Sequence, residues 1–215
     1  MPTLENLQTR HSVHVGDRLG DTVGGVDEAG RGPLAGPVVA AVVVLATGQT
    51  IDGVRDSKQL TAHRRNILAE VIQRESIAWA IGQADVAEID ELNILHATML
   101  AMRRAVEALP AAPSRLRIDG NRAPEMPRYP GITETLVGGD RLCPAISAAS
   151  ILAKVHRDRL MADLDRCFPE FGFARHKGYP TAAHREALAE FGPCPAHRLS
   201  FRPVRLALAA QGGKP

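Results

Sequence analysis

The sequence predicts an α/β domain with a mixed sheet, and three observations carry that prediction. Val38 to Ala46 is a nearly unbroken run of Val and Ala without polar alternation, as expected of a strand covered on both faces. Between 90 and 109, Leu92, Leu95, Met99, Met102, Val106 and Leu109 recur at alternating spacings of three and four, the period of an amphipathic helix that Pro110 stops. Strand-like segments come early, and helical ones alternate with them or follow.

Taken in order, residues 1–21 read as a polar, loosely ordered leader, with a single domain from 22 to 215. Thr22 opens a strand that runs into a glycine-rich turn, and the run from Val38 to Ala46 follows. Asp56 to Thr61 is a loop leading to a helix around 62–75, for which Thr61 is the N-cap. Ser76 to Ala84, centred on Trp79, reads as a third strand, and the helix of 90–109 comes next. Leu116 to Asn121 is a short strand, followed by a Pro-rich loop, a strand near 132–137 and a helix from Ser147 to Cys167. Thr181 caps a further helix closed by Gly192, and a short amphipathic segment follows Pro203, so the chain from about 165 is helical and basic.

Composition narrows the class of protein. A chain of 215 residues with 45% hydrophobic content can build a core, which excludes a wholly disordered one. Aromatics are only 4%, so that core is aliphatic. Three cysteines without a C-x-x-C pair argue against a disulfide scaffold and for a reducing compartment. The first twenty residues lack the apolar stretch of a signal peptide. The longest apolar run falls far short of the roughly 18–20 residues of a membrane span. A soluble, cytoplasmic protein is expected.

The net charge of +2 hides an asymmetry. Residues 1–150 carry 15 Lys+Arg against 18 Asp+Glu, whereas 151–215 carry 11 against 6 and four of the eight histidines. An acidic body with a basic final third suits a polyanion held near carboxylates.

Those carboxylates recur at strand ends. Asp27-Glu28 ends the first strand, Asp119 lies in Ile118-Asp119-Gly120-Asn121, and Asp140 follows Gly138-Gly139. In open α/β sheets, strand ends are where ligands bind. Acids converging there repel one another unless cations neutralise them, and hard oxygen donors without nearby His or Cys point to Mg2+ or Mn2+. Two such ions could activate water and stabilise the leaving oxygen of a phosphodiester. Adjacent strand residues point to opposite faces. Either the strand ends or bulges at Asp27-Glu28, or Glu28 contributes its backbone carbonyl. Acids beside glycine after a strand are also ordinary turn residues.

Gly30-Arg31-Gly32-Pro33-Leu34-Ala35-Gly36 follows directly. It lacks the Gly-Lys-Ser/Thr of a phosphate-binding P-loop and misses the dinucleotide fingerprint. Backbone amides flanking an arginine beside metal-binding acids suit a sugar-phosphate; a tight strand connection would look the same.

Six further stretches accompany Gly25-Val26-Asp27-Glu28-Ala29-Gly30-Arg31-Gly32-Pro33. They are Asp56-Ser57-Lys58, Glu91 to Met99, Ile118 to Asn121, Gly139-Asp140, Ser147 to Val155, and His176-Lys177-Gly178-Tyr179-Pro180-Thr181. In this order, over roughly residues 22–205, the sequence resembles ribonuclease HII. The resemblance implies an RNase H-like fold: a central mixed β-sheet flanked by helices, with a helical C-terminal extension. It implies an endoribonuclease acting on the RNA strand of RNA–DNA hybrids and 5′ to ribonucleotides embedded in duplex DNA, in DNA replication and repair. Metal-activated water would leave 3′-hydroxyl and 5′-phosphate ends. By the same resemblance, Asp27, Glu28, Asp119 and Asp140 are the acids that hold Mn2+ or Mg2+, two ions during catalysis. Gly30, Arg31 and Gly32 would read the 2′-hydroxyl where ribose gives way to deoxyribose. Tyr179 would stack on the following deoxynucleotide's sugar, and Lys58 and Lys177 would touch phosphate. The family often carries Lys where this chain has Gly138, and some relatives carry an acid at Ala145. Neither change removes a proposed ligand, though the missing lysine bears on phosphate contact and metal preference. A monomer is expected, and no replication partner is visible in the sequence.

Ser147 and Ser150 begin a helix on which Lys154 and Arg157, three apart, can share a face; phosphate contact is the functional expectation and a solvated surface helix the ordinary one. Cys194 and His197 have C-x-x-H spacing, but no second pair stands nearby, so zinc is not expected. His96 is expected to be a hydrogen-bonded structural residue, and Met99 and Met102 core filler. Two rival functions are a non-catalytic binder of hybrid duplexes and a metal-dependent phosphatase.

Overall fold

A computed structural model describes residues 18–54 and 60–212. Five strands form one sheet: β1 (Arg18–Ala29), β2 (Val38–Ala46), β3 (Ala78–Ala84), β4 (Ala112–Asp119) and β5 (Ile132–Leu136). Their order is β3-β2-β1-β4-β5; β1–β2 and β2–β3 are antiparallel, while β1–β4 and β4–β5 are parallel. The mixed sheet and the α/β class are as the sequence predicts. β1 starts at Arg18, four residues before Thr22, so the last part of the expected leader is strand; residues 1–17 lie outside the described chain.

The apolar run of β2 is buried from Val38 to Leu45, and its alternation divides the core. Val39, Ala41 and Val43 pack toward α1 (Ala62–Glu75) and α4 (Pro144–Cys167). Val38, Ala40 and Val42 pack toward α2 (Val86–Glu107). A strand buried on both faces cannot alternate with polar residues. Thr61 caps α1 by accepting from the Arg64 amide, as expected.

The second helix differs from its expected form. It starts at Val86, where Asp85 and Glu88 form a capping box, and Asn93 interrupts it with φ 67°. The break shifts the helical phase, so Leu92 is exposed while Ile89, Ala97, Ala101, Met102 and Ala105 are buried. Met102 is core as expected; Met99 is only partly buried. His96 is exposed rather than packed, with its backbone amide on Asn93 Oδ1.

Between β5 and α4 lies the one-turn α3 (Gly139–Leu142). Pro144 opens α4 three residues before Ser147, at the helix position where a missing N–H costs nothing. The start of α4 lies against β1: a Cβ on Gly25 would be 2.1 Å from Ala145 C and Ile146 N. After α4 come a short 3-10 turn (Pro169–Phe171), α5 (Phe173–His176), α6 (Ala182–Phe191, with Thr181 and Gly192 at its ends) and α7 (Arg202–Gly212). Their small core takes in Ala35, Met161, Phe171, Phe173 and Ala187, and Ala35 bridges to His197. The C-terminal third thereby packs on the glycine turn. No described helix is long and apolar enough to cross a membrane.

Candidate active site

Strand parity places the acids. Val26 and Ile118, the last pair joining β1 to β4, face α2. Asp27 and Asp119 come one residue later and so turn together toward α4. Asp27, only 6% exposed, accepts the Glu28 amide at 2.7 Å, and the nearby Ser150 side chain favours its ionised form. Asp119 accepts the Gly139 amide at 2.7 Å, which draws in the loop carrying the buried Asp140. Ser147 is buried and donates its hydroxyl to the Asp140 carbonyl. It shapes the acid loop and does not line the groove.

At Glu28 the pairing with β2 stays regular through Ala29, so the strand neither ends nor bulges there. Parity carries the Glu28 side chain away from Asp27, and its carboxylate lies 3.4 Å from Arg31 Nη1.

The electrostatics show why these acids need compensation. Burial, reinforced by the charges of Glu28 and Asp119, pushes the Asp27 carboxyl up to about 8. Burial also raises Glu28, with Asp119 adding to the rise and Arg31 opposing it. Among the described residues no three His, Cys, Asp or Glu side chains are already posed around one ion. The acids are neighbours with Glu28 turned to Arg31. The donor set nevertheless fits a hard cation: it is all oxygen, and the charges of Glu28 and Asp119 act against that of Asp27.

Beside the acids runs an open groove of about 430 Å3. Glu28, Gly30, Arg31 and Gly32 form one wall, Ser150 and Lys154 the α4 side, and Tyr179 stands opposite. Tyr179 is 46% exposed and is the nearest neighbour to the open face of Gly32. Arg65, which sequence reading missed, also lines the groove. It resembles any lysine or arginine of a polar helix; only the fold turns it inward. Lys154 is paired with Asp158. Lys177 adopts φ 54° and lies outside the groove wall, and Lys58 falls outside the described residues.

Arg157 corrects the expectation of a phosphate contact beside Lys154. It is 1% exposed and donates to the carbonyls of Ala35, Pro37 and Lys177. Arg198, fully buried, likewise donates to the carbonyls of Gly30, Arg31, Pro33 and Gly36.

Cys194 and His197 hold no metal pattern but a proton-ordered chain. The Cys194 amide donates to His197 Nδ1 at 3.0 Å. His197 must then carry its proton on Nε2, which lies 3.0 Å from His184 Nε2. His184 in turn donates from Nδ1 to the Tyr179 carbonyl at 2.9 Å. Both rings are neutral, in keeping with burial, which lowers His184 and brings His197 down to about 4. The chain anchors the backbone of Tyr179.

Known proteins share this architecture. The family model described as Ribonuclease HII matches residues 24–204. A ribonuclease HII of Burkholderia lata is 58% identical over 191 residues, covering 89% of this chain and 88% of that protein. The crystal structure of ribonuclease H2 from Pyrococcus horikoshii superposes with a TM-score of 0.77 at 29% identity, covering 90% of this chain and all of that one. Ribonuclease HII from Archaeoglobus fulgidus, solved in complex with PCNA, superposes at 0.68 with 25% identity over 86% of this chain and 96% of its own.

Proposed function

The chain belongs to the ribonuclease HII family, and from that premise we propose a metal-dependent endoribonuclease that cuts the RNA strand of RNA–DNA hybrids and duplex DNA 5′ to an embedded ribonucleotide. The observation that carries this reading is the pairing of Asp27 and Asp119 on one face, with Asp27 pushed up by burial and then by its acidic neighbours, beside the groove lined by the glycine turn and Tyr179.

Asp27, Asp119 and Asp140 would hold Mg2+ or Mn2+ by side chain, and Glu28 by its carbonyl or by a side chain released from Arg31. Ions held by these residues, two by our reading, would supply the Lewis acidity that activates water and offsets charge on a leaving oxygen. The neighbouring Ser150 side chain favours the ionised form of the Asp27 carboxylate. Gly30 to Gly32 let backbone approach the ribose 2′-hydroxyl, the one group that distinguishes the ribonucleotide from its deoxy neighbours. Tyr179 offers its ring to the next sugar. Arg31, Arg65 and Lys154 supply positive charge for phosphate along the groove. Cleavage leaves a 3′-hydroxyl and a 5′-phosphate. We read the chain as acting as a monomer, with a replication-machinery partner suggested by the Archaeoglobus complex alone.

The test uses three duplexes, one with a single ribonucleotide, one full hybrid and one all-DNA, each with and without Mg2+ or Mn2+. Metal-dependent cutting of the first two and not the third is expected. Salt-sensitive binding without cutting would identify a binder, and turnover of a small phosphate ester with duplexes ignored would identify a phosphatase.

A further inference from the structure

Two arginines lie directly behind the glycine turn, and neither makes an ion pair among the described residues. A buried guanidinium without a carboxylate is costly unless its donors all find oxygen. Here all of the oxygen but the Lys177 carbonyl, which Arg157 Nη1 takes at 3.0 Å, comes from one stretch of main chain. Arg198 donates from Nε to Gly36 O at 2.9 Å, from Nη1 to Arg31 O at 3.1 Å and Pro33 O at 2.7 Å, and from Nη2 to Gly30 O at 2.6 Å. Its own amide donates to Leu34 O at 2.9 Å. Arg157 takes Ala35 O and Pro37 O, each at 3.0 Å. From residue 30 to 37, Gly32 alone keeps a carbonyl that neither arginine holds, and Gly32 is exposed at the groove.

This has a geometric consequence. With the flanking carbonyls drawn inward, the peptides around Gly32 have little freedom to rotate. Gly30 is fixed as well: at φ 101°, a Cβ there would lie 2.0 Å from Arg157 Nε. The Phe201 ring centroid, 5.2 Å from the Arg198 guanidinium carbon, covers the charge. Discrimination of one hydroxyl requires a receiving backbone held within a fraction of an ångström.

We propose that Arg198 is a positioning residue for ribose recognition, setting the glycine turn through four backbone carbonyls without touching substrate. The inference rests on the reading of that turn as the 2′-hydroxyl sensor. Neither lysine nor alanine can reproduce the planar fork, although lysine keeps the charge.

The experiment compares the unaltered protein with Arg198→Lys and Arg198→Ala, the latter with and without added guanidinium ion. Substrates are a single-ribonucleotide duplex and a DNA strand with a short internal ribonucleotide tract, and the bond cut in the tract is mapped. Expected are folded variants whose kcat/KM on the single ribonucleotide falls by about tenfold to a hundredfold, with cuts spread over the tract. Guanidinium should return the Ala variant toward the original bond. Cuts confined to the original bond, with both substrates slowed by a common factor or not at all, overturn the proposal. So does failure of both variants to fold at low temperature, which would make Arg198 a folding residue. If the unaltered protein cuts neither substrate, the functional reading itself has failed, and that outcome is separate.

Discussion

Replacing Asp27 by Asn should stabilise the metal-free protein, by an amount that grows with pH. The unfolded chain releases this proton near 3.8, whereas the folded carboxyl, buried beside Glu28 and Asp119, keeps it up to about 8. Between those values folding takes up a proton. The stabilisation from the protonated native carboxyl is complete below about pH 4 and is lost as pH rises through 8. The linkage costs between about 1 and 1.5 kcal/mol per pH unit, so by pH 7 the wild type has forgone on the order of 3–4 kcal/mol relative to acid. Asn keeps the amide contact from Glu28 and carries no charge. Urea unfolding of both proteins in a chelator at pH 4.5, 6, 7 and 8 provides the assay. The stability difference should be smallest, about 1 kcal/mol, at pH 4.5 and widen steadily, reaching a melting shift on the order of 10 °C by pH 7. Adding Mg2+ or Mn2+ should raise the wild type and leave the variant nearly unmoved. Parallel pH curves for the two proteins would refute the account of crowded, buried acids.

Asp119→Asn should abolish cleavage in the duplex assay while leaving circular dichroism unchanged, because Asn can still accept the Gly139 amide; retained turnover contradicts its role. His197, held down to about 4 by burial, makes stability fall as pH drops from 6.5 through 4, since the unfolded chain protonates first. His197→Gln should flatten that acid limb in unfolding measurements from pH 4 to 7. Gly25→Ala should cost several kcal/mol or prevent folding, because its methyl meets the backbone of α4; soluble yield and melting temperature report it.

What the sequence discloses depends on how local the cause is. The limits of β2 are legible because burial on both faces leaves a single apolar word, and Thr61 and Thr181 announce their helices through side-chain capping. The Asp85–Glu88 capping box marks the start of α2 at Val86, four residues before the start that the leucine spacing predicts. No sequence period reveals the positive φ of Asn93, which moves Leu92 out of the core. The four acids stand out because glycines lie within two residues of each, with Asp27, Glu28 and Asp119 at strand ends and Asp140 in the short helix α3. Arg157 and Arg198 are illegible for the opposite reason. Their partners are carbonyl oxygens, which every residue has, and all but that of Lys177 come from a turn some 120 to 168 positions away.

That separation orders events during synthesis. A nascent polypeptide that has emerged as far as α4 already contains all four site acids and all five strands. It still lacks Arg198, which is translated some 160 codons after the glycines it grips. Contacts this distant in sequence form late. Until residue 198 has been made, the glycine turn of the growing chain therefore lacks the guanidinium that gathers its carbonyls.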